Sequence, residues 1–393
     1  MISVSKALSI ISSVPYEPIL KTVFLKDSNG FLLGETILSP IHLPSFRQSA
    51  MDGYALRVHD ENTYEIIGEV QAGNSKNYLL KPGQGVRIFT GAQVPDSADT
   101  VVIQEKVSVS ENRIQIQEDI SKNENIRAVG EQIKKGSVAL EKNTLITPAG
   151  IGFIAGLGIE KVTIFAPPNV AIITTGNELI QPGSQLSDGK IYESNSIQLE
   201  SILTQVGIKK ITKYTVPDDY PSTVKIINTA LQNNDLILIS GGISVGDYDF
   251  VKKALLDLKT EELFYKIKQK PGKPLFFGRN KKSLVFALPG NPASSLTCFY
   301  IYVIPIIKKM MNQPYDGLKR TTKKISKEFV KKGARAQFLK ALVNDQTVKV
   351  LEGQSSSMLY TYALANALVY IPEEKKHIKE GSLVETILLP NYS

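Results

Sequence analysis

The sequence predicts a multidomain α/β plus β protein, in which a doubly wound, mostly parallel α/β domain is joined to an N-terminal linker segment, a β-rich insertion and a small C-terminal β domain. Three observations carry this reading. At 393 residues the chain is too long for one ordinary core. Between residue 168 and about residue 314, unbroken apolar runs alternate with stretches of helical pattern. An apolar run without alternation is how a strand buried on both faces of a parallel sheet reads. On either side of that region the chain breaks into short β-rich pieces separated by Gly, Pro, Asn and Asp.

Taken in order, residues 1 to about 27 read as a short helix and a linker, with Ser5 as the cap ahead of the apolar periodicity. From about 40 to 145 come "YEIIGEVQAG", "GQGVRIFTGA", "DTVVIQEKVSV" and "NRIQIQED", a largely β insertion. "TPAGIGFIAGLGIEKV" predicts a helix dense in small residues that stops at a glycine before a strand. Its G-x-G start lacks a clear preceding strand and a third glycine in place, so its glycines read as close helix packing rather than a dinucleotide fingerprint. The α/β region then runs strand "NVAIITT", helix "SNSIQLESILTQVG", strand "KKITKYTV", helix "YPSTVKIINTALQ", strand "DLILIS", a helix after Asp249, strands near "FFG" and "LVFAL", and a long helix from Ala293. The last 75 or so residues return to β, with "VKVLEG", "ALVYIP" and "SLVETILLP" as strands.

Composition removes several function classes. A single cysteine, Cys298, leaves no internal disulfide framework and reads as a core residue rather than a nucleophile, and three scattered histidines make no zinc site of the usual spacing. The apolar run "CFYIYVIPII" falls well short of the roughly 20 residues of a membrane span, so a soluble cytoplasmic protein with no membrane partner is expected. The net charge of +8 is concentrated between Lys319 and Lys340, where nine basic residues face one acid. It reads as the solvated face of a β-hairpin, and no nucleic-acid module or interleaved aromatics accompany it.

The chemistry is expected at the C-terminal ends of the parallel strands, where open α/β sheets bind ligands. The loop "SGGISVGDYDF" offers Gly241 and Gly242 for close approach of a phosphate, with Ser244, Asp247 and Asp249 beyond them. "TTGNEL" places Glu178 after the turn at Gly176, and "PDDY" places Asp218 and Asp219 before a helix, where either could equally be a cap. Carboxylates gathered from neighbouring strand ends repel one another unless a cation intervenes, and oxygen-only donors suit Mg²⁺. "KIKQKPGKPLFFG" sets Lys266, Lys268, Lys270 and Lys273 around a Pro-Gly turn, either a solvated strand or an anion site. "LPGNPASS" runs through Pro289, Asn291 and Pro292 into a helix start, a good cap with or without an oxyanion. There is no P-loop signature, which leaves a phosphorylated or nucleotide-bearing small molecule as the expected ligand.

Eight motifs in order, "PSFRQSAMDGYAL", "GQGVRIFTGAQVPDSADTVVIQE", "IRAVGEQIKKG", "VAIITTGNEL", "GKIYESNS", "SGGISVGDYD", "KPGKPLFFG" and "LPGNPASS", resemble the molybdopterin molybdenumtransferases, including the gephyrin E domain. The resemblance implies a molybdopterin-binding type of α/β domain at 168–316. It also implies a linker and dimerisation domain made of 1–40 and 131–167, a β-rich domain at 41–130 and a C-terminal domain at 317–393. It implies an elongated homodimer that takes molybdate and adenylylated molybdopterin, inserts the metal with Mg²⁺ assistance and releases AMP. Protein partners would be a molybdopterin adenylyltransferase and recipient molybdoenzymes. Carried over by position, Asp249, Asp218 and Glu178 are the functional acids, Asp249 and Asp218 being those for Mg²⁺. Lys266, Lys270, Lys273 and Arg127 join Gly241, Gly242, Ser244, Pro289, Asn291 and Pro292 in binding substrate. Asp52 and Thr90 match first-half motifs that face the other subunit, though a turn cap and a strand-end hydroxyl are their plain readings. Arg335 and Ser356 are assigned to the pterin end or the cleft wall. One departure stands out: Gln132, preceded by Glu131, occupies the place of a usual acid, and no function transfers to it. The alternatives are the adenylyltransferase step itself and a non-catalytic pterin-binding scaffold.

Overall fold

The computed structural model describes residues 1–74, 76–243, 250–314 and 317–390. The chain divides into two units, one of Met1–Lys21 with Phe165–Ser393 and the other of Thr22–Ile164. The first helix, α1 (Val4–Ser13), is capped by Ser3, whose hydroxyl accepts from the Lys6 N–H. Ser5, the expected cap, instead lies inside the first turn: two serines sit two residues apart, and only Ser3 has the extended backbone a cap needs.

The Thr22–Ile164 unit is built on a six-stranded sheet. Its strands are β1 (Gly53–Leu56), β2 (Thr63–Val70), β3 (Gln84–Ile88), β4 (Thr100–Ile103), β5 (Val107–Ser110) and β6 (Arg113–Ile116), ordered β4-β1-β3-β2-β6-β5. Strand β1 is buried throughout because side chains alternate between two cores: Ala55 packs with Val86, Ile88 and Val101, while Tyr54 and Leu56 pack with Tyr64, Val102 and Ile114. Gly53 has no substitute, since a Cβ there would lie 1.9 Å from the Val102 carbonyl oxygen. Helix α2 (Pro148–Gly156) is capped by Thr147 and apolar along its whole length. The close packing expected of its glycines is absent among the described residues, where a Cβ at Gly152 or Gly156 would meet nothing within 4 Å.

In the larger unit the apolar runs become β7 (Val170–Thr175), β8 (Ile211–Val216), β9 (Leu236–Ser240), β10 (Glu261–Tyr265), β11 (Phe276–Asn280) and β12 (Ser283–Leu288). They form one sheet in the order β8-β7-β9-β12-β11-β10. The first four strands are parallel, and β11 and β10 add an antiparallel edge. Strands β7, β9 and β12 are buried at every position. The helices are α3 (Asn195–Gln205), α4 (Tyr220–Asn233), α5 (Val251–Asp257), α6 (Pro292–Cys298) and α7 (Ile304–Met310), with a π turn at Phe299–Val303 joining the last two. Ile173, Ile237, Ile239 and Val285 pack beneath Ile227, Ala230, Ala254 and Leu255 of α4 and α5. The register decides where chemistry can occur. Thr175 pairs with Val216, Thr174 with Ser240, and Ser240 with Leu288. Four strands therefore end together, and their loops open on one edge.

The C-terminal strands β13 (Arg320–Ile325), β14 (Ala336–Val343), β15 (Thr347–Val350), β16 (Ala367–Ile371) and β17 (Leu383–Leu388) close a ring in the order β14-β15-β13-β17-β16 and back to β14. The basic segment 319–340 is therefore no hairpin, because β13 pairs with β15 and β17 and not with β14. Nor is all of it solvated: Lys331 and Lys340 are buried as the barrel closes over their aliphatic stems. No helix of the described residues is long and apolar enough to cross a membrane.

Candidate active site

A cleft of about 710 Å³ opens where β7, β8, β9 and β12 end. Its floor is the Gly241-Gly242 turn after β9. Both glycines lie in the left-handed region, at φ +97° and +60°, and a Cβ on Gly241 would stand 2.8 Å from the carbonyl and hydroxyl oxygens of Thr175. One wall is the Pro289–Pro292 turn. There Asn291 occupies the N-cap position of α6 without a side-chain cap bond; its Nδ2 donates instead to Ser356 Oγ at 3.2 Å.

The opposite wall carries the acids. Glu178 folds back over Gly176, where a Cβ would come within 2.6 Å of its Oε2. Asp218 and Asn177 exchange bonds across the edge: the Asn177 N–H donates to Asp218 Oδ2 at 3.0 Å, and the Asp218 N–H to Asn177 Oδ1 at 3.2 Å. The two aspartates of "PDDY" thus divide their tasks. Asp219 caps α4 by accepting from the Ser222 N–H at 2.9 Å, while Asp218 lines the cleft.

The sequence reading missed three residues here. Glu193, 2% exposed, lines the cleft and accepts from both the N–H and the hydroxyl of Ser196. Asn195 ties two loops together, its Nδ2 donating to Ser240 Oγ and to the Gly290 carbonyl, each at 2.7 Å. Thr175 ends β7 beneath the glycine turn. "YESNS" reads as a helix start, so its polar residues look like caps, and only the crossing of loops far apart in sequence reveals the clamp.

The C-terminal barrel supplies the last part of the wall through Ser357. That loop is held from beneath by Lys340, 3% exposed, whose Nζ donates to the carbonyls of Gly353 (2.8 Å), Ser355 (3.2 Å) and Met358 (3.1 Å). Burial pulls the Lys340 ammonium below its ordinary pKa. Replacing Lys340 by Met would take one donor from each of three carbonyls, of which Gly353 keeps the Thr361 hydroxyl and Ser355 the Met358 N–H, a loss offset in part by no longer burying a charge. A net destabilisation of about 1–3 kcal/mol is expected. Hydrogen exchange should accelerate at the amides of 353–358 first; unchanged protection there would remove Lys340 from this role.

Other predicted residues lie elsewhere. Lys266, Lys270 and Lys273 do not line the cleft, although Pro274 beside them does. Lys270 borders a separate hollow of about 240 Å³ with Phe329 and Gln337, and Lys266 Nζ sits 4.7 Å from the Tyr265 ring centroid. Arg335 donates to the Gln269 carbonyl at 3.1 Å. Cys298 is buried, and burial pushes its thiol pKa up, as suits a core residue. In the other unit, Thr90 donates from its N–H and its hydroxyl to Asp52 Oδ1, both at 2.7 Å, which lowers the Asp52 pKa. Arg127 donates to Gln48 Oε1 at 3.4 Å, Glu131 accepts from the Ala128 N–H, and the Gln132 N–H reaches the Leu43 carbonyl. Ser244, Asp247 and Asp249 lie outside the described residues.

Comparison with known proteins places this cleft in context. Residues 2–158 match the MoeA N-terminal region (domain I and II), 171–309 a probable molybdopterin binding domain, and 323–389 the MoeA C-terminal region (domain IV). The Haemophilus influenzae molybdopterin molybdenumtransferase is 33% identical over 395 residues, covering 98% of each chain. The chain belongs to the molybdopterin molybdenumtransferase family. The Staphylococcus epidermidis molybdopterin molybdenumtransferase is 31% identical, over 100% of this chain and 96% of its own. A crystal structure of the molybdopterin biosynthesis MoeA protein of Pyrococcus horikoshii superposes with a TM-score of 0.82 at 28% identity, covering 99% of both chains. The protein is thus a transferase of molybdenum-cofactor biosynthesis, and apart from Ser357 the cleft lining falls within the portion that matches the molybdopterin-binding model.

Proposed function

We propose that the cleft holds adenylylated molybdopterin and that the protein transfers molybdenum from molybdate to its dithiolene, releasing AMP. The observation that carries this reading is the convergence of a Gly-Gly turn, the PGNP turn and the carboxylates of Glu178 and Asp218 around one cleft of about 710 Å³, in a chain of this family. A phosphate can approach the backbone closely at Gly241 and Gly242, against Pro289, Asn291 and Pro292. Lys266, Lys270 and Lys273, on the segment that leads into Pro274, attract molybdate beside it.

Among the described residues no three carboxylates, histidines or cysteines converge on a metal-sized site. Mg²⁺ is commonly held by one or two carboxylates together with substrate phosphates and water. Asp218, together with the Asp249 that the motif resemblance names, would hold it, and Glu178 would order the water around it. Bound there, Mg²⁺ would neutralise charge on the phosphoanhydride. The protein's own residues bind and orient: Asn195 fixes the distance between the two loops that embrace the ligand, and Asp218 keeps the Glu178 loop against the edge.

The same reading makes the protein a cytoplasmic homodimer of four-domain subunits. The apolar, partly exposed helix α2 supports this, since a helix apolar on every side ordinarily finds a partner. Asp52, Thr90 and Arg127 would then complete the cleft of the other subunit, and product would pass to recipient molybdoenzymes.

The test is AMP release from adenylylated molybdopterin with Mg²⁺, with and without molybdate, alongside reconstitution of an apo-molybdoenzyme. Molybdate-dependent release with reconstitution is expected. Tight binding with neither would make the cleft a pterin-holding platform and overturn the transferase chemistry.

A further inference from the structure

We infer that Gln198 is a positioning residue of the reaction: it fixes the Asn195 amide in the orientation that spans the cleft from floor to wall, and it acts on turnover through Asn195 without touching the substrate. The inference rests on the transferase reading of the cleft proposed above, and it adds a residue that stands behind the cleft lining.

Gln198 lies one turn along α3 from Asn195 and is partly buried. Its Nε2 donates to Asn195 Oδ1 at 3.0 Å and to the Pro292 carbonyl at 3.3 Å. Asn195 Nδ2 in turn donates to Ser240 Oγ and to the Gly290 carbonyl. Two amides thus run in series from the strand end before the glycine turn to two carbonyls of the Pro289–Pro292 turn.

Those carbonyls fix which way each amide faces. A carbonyl oxygen only accepts, so Asn195 must turn its Nδ2 toward Gly290, which leaves its Oδ1 facing Gln198. Gln198 must then present Nε2 to Oδ1 and to Pro292, because its oxygen would meet two acceptors there. This orientation has a cost. Gln198 Oε1 is buried and has no hydrogen-bond partner among the described residues, and a buried acceptor without a partner destabilises the fold. Leucine or methionine has a helix propensity as good as that of glutamine and would bury no such oxygen. Helix stability therefore does not account for the amide, and its hold on Asn195 does. Without that donor Asn195 would still have Ser240, whose hydroxyl can donate as well as accept, so its amide could turn over and release Gly290. The floor and the wall would then be joined less firmly when substrate arrives, and their fixed spacing is what such a clamp contributes to the rate.

The experiment measures molybdate-dependent AMP release and the urea unfolding midpoint of the full-length protein in Gln198→Met, Gln198→Glu, Asn195→Ala and the double variant Asn195→Ala/Gln198→Met. Expected are a kcat/KM about tenfold lower in Gln198→Met and about 10²-fold lower in Asn195→Ala. The double variant should match Asn195→Ala, because Gln198 then has no clamp to hold. Gln198→Glu keeps the size and sets an acceptor in the donor's place, so it should lose at least as much as Gln198→Met. Losses that multiply in the double variant would overturn the inference, since Gln198 would then act independently of Asn195. Wild-type kcat/KM in either Gln198 variant would overturn it too, and a lowered midpoint beside it would mark a purely structural amide. If the wild-type protein releases no AMP, the transferase reading itself fails, and the role of Gln198 with it.

Discussion

Replacing Gly241 with alanine is expected to lower molybdate-dependent AMP release by about 10²-fold while the α/β core stays folded. Two independent constraints meet at this position. The backbone sits at φ +97°, where an L side chain is strained by about 1–3 kcal/mol, and the new methyl would be forced to 2.8 Å from the Thr175 carbonyl oxygen. That neighbour is backbone in a central parallel strand and cannot yield, so the turn must move. Gly241 also donates its N–H to the Leu288 carbonyl at 3.3 Å, so the displacement spreads to the strand end that begins the PGNP wall. A misplacement of about 1 Å in a substrate-positioning group costs about 10²-fold. Gly333→Ala is the control, because φ is +87° there but nothing lies within 4 Å of the added Cβ. It should pay the backbone strain and keep near wild-type turnover. Equal losses in the two variants would show that strain alone, and not displacement of the site, limits the reaction.

The contrast between these glycines shows what could be read from sequence. The parallel strands were legible because burial on both faces erases alternation, and "VAIITT" and "LILIS" are unbroken apolar runs up to the hydroxyl residues at their C-terminal ends. The loops after them were legible because Gly, Asn and Pro cluster where chains turn. Neither signal says what a loop touches. Asn195 joins Ser240 to Gly290 across separations of 45 and 95 residues, and nothing local to "ESNS" encodes those partners. Thr175 reads as one more strand residue until the turn it supports is seen. Lys340 belongs to a basic run that predicts solvent exposure, and it is buried only because β14 pairs with both β15 and β16 to close the barrel. Asp218 and Asp219 are indistinguishable as letters. Their roles separate only in the backbone, where Asp219 adopts the extended conformation of a cap at φ −131° and ψ 145°.

That separation makes the second large prediction. On the Mg²⁺ role proposed above, Asp218→Asn is expected to reduce AMP release about 10²–10³-fold, the loss typical of removing one preorganised electrostatic group from a closed site. Asparagine keeps an oxygen that can accept from the Asn177 N–H, so the loop tie survives and the lost charge is isolated. Asp218→Ala removes the tie as well and should additionally raise the substrate KM. Asp219→Asn, one residue away, should leave turnover near wild type, because asparagine caps a helix about as well as aspartate. Asp219→Ala should lose about 1 kcal/mol of stability without a matching loss of rate. Mg²⁺ titration of each variant supplies the decisive readout. If Asp218 holds the ion, Asp218→Asn needs far more Mg²⁺ for half-maximal release, whereas Asp219→Asn does not. A normal Mg²⁺ requirement with slow turnover would move the ion to another carboxylate of the edge and leave Asp218 as the residue that positions Glu178.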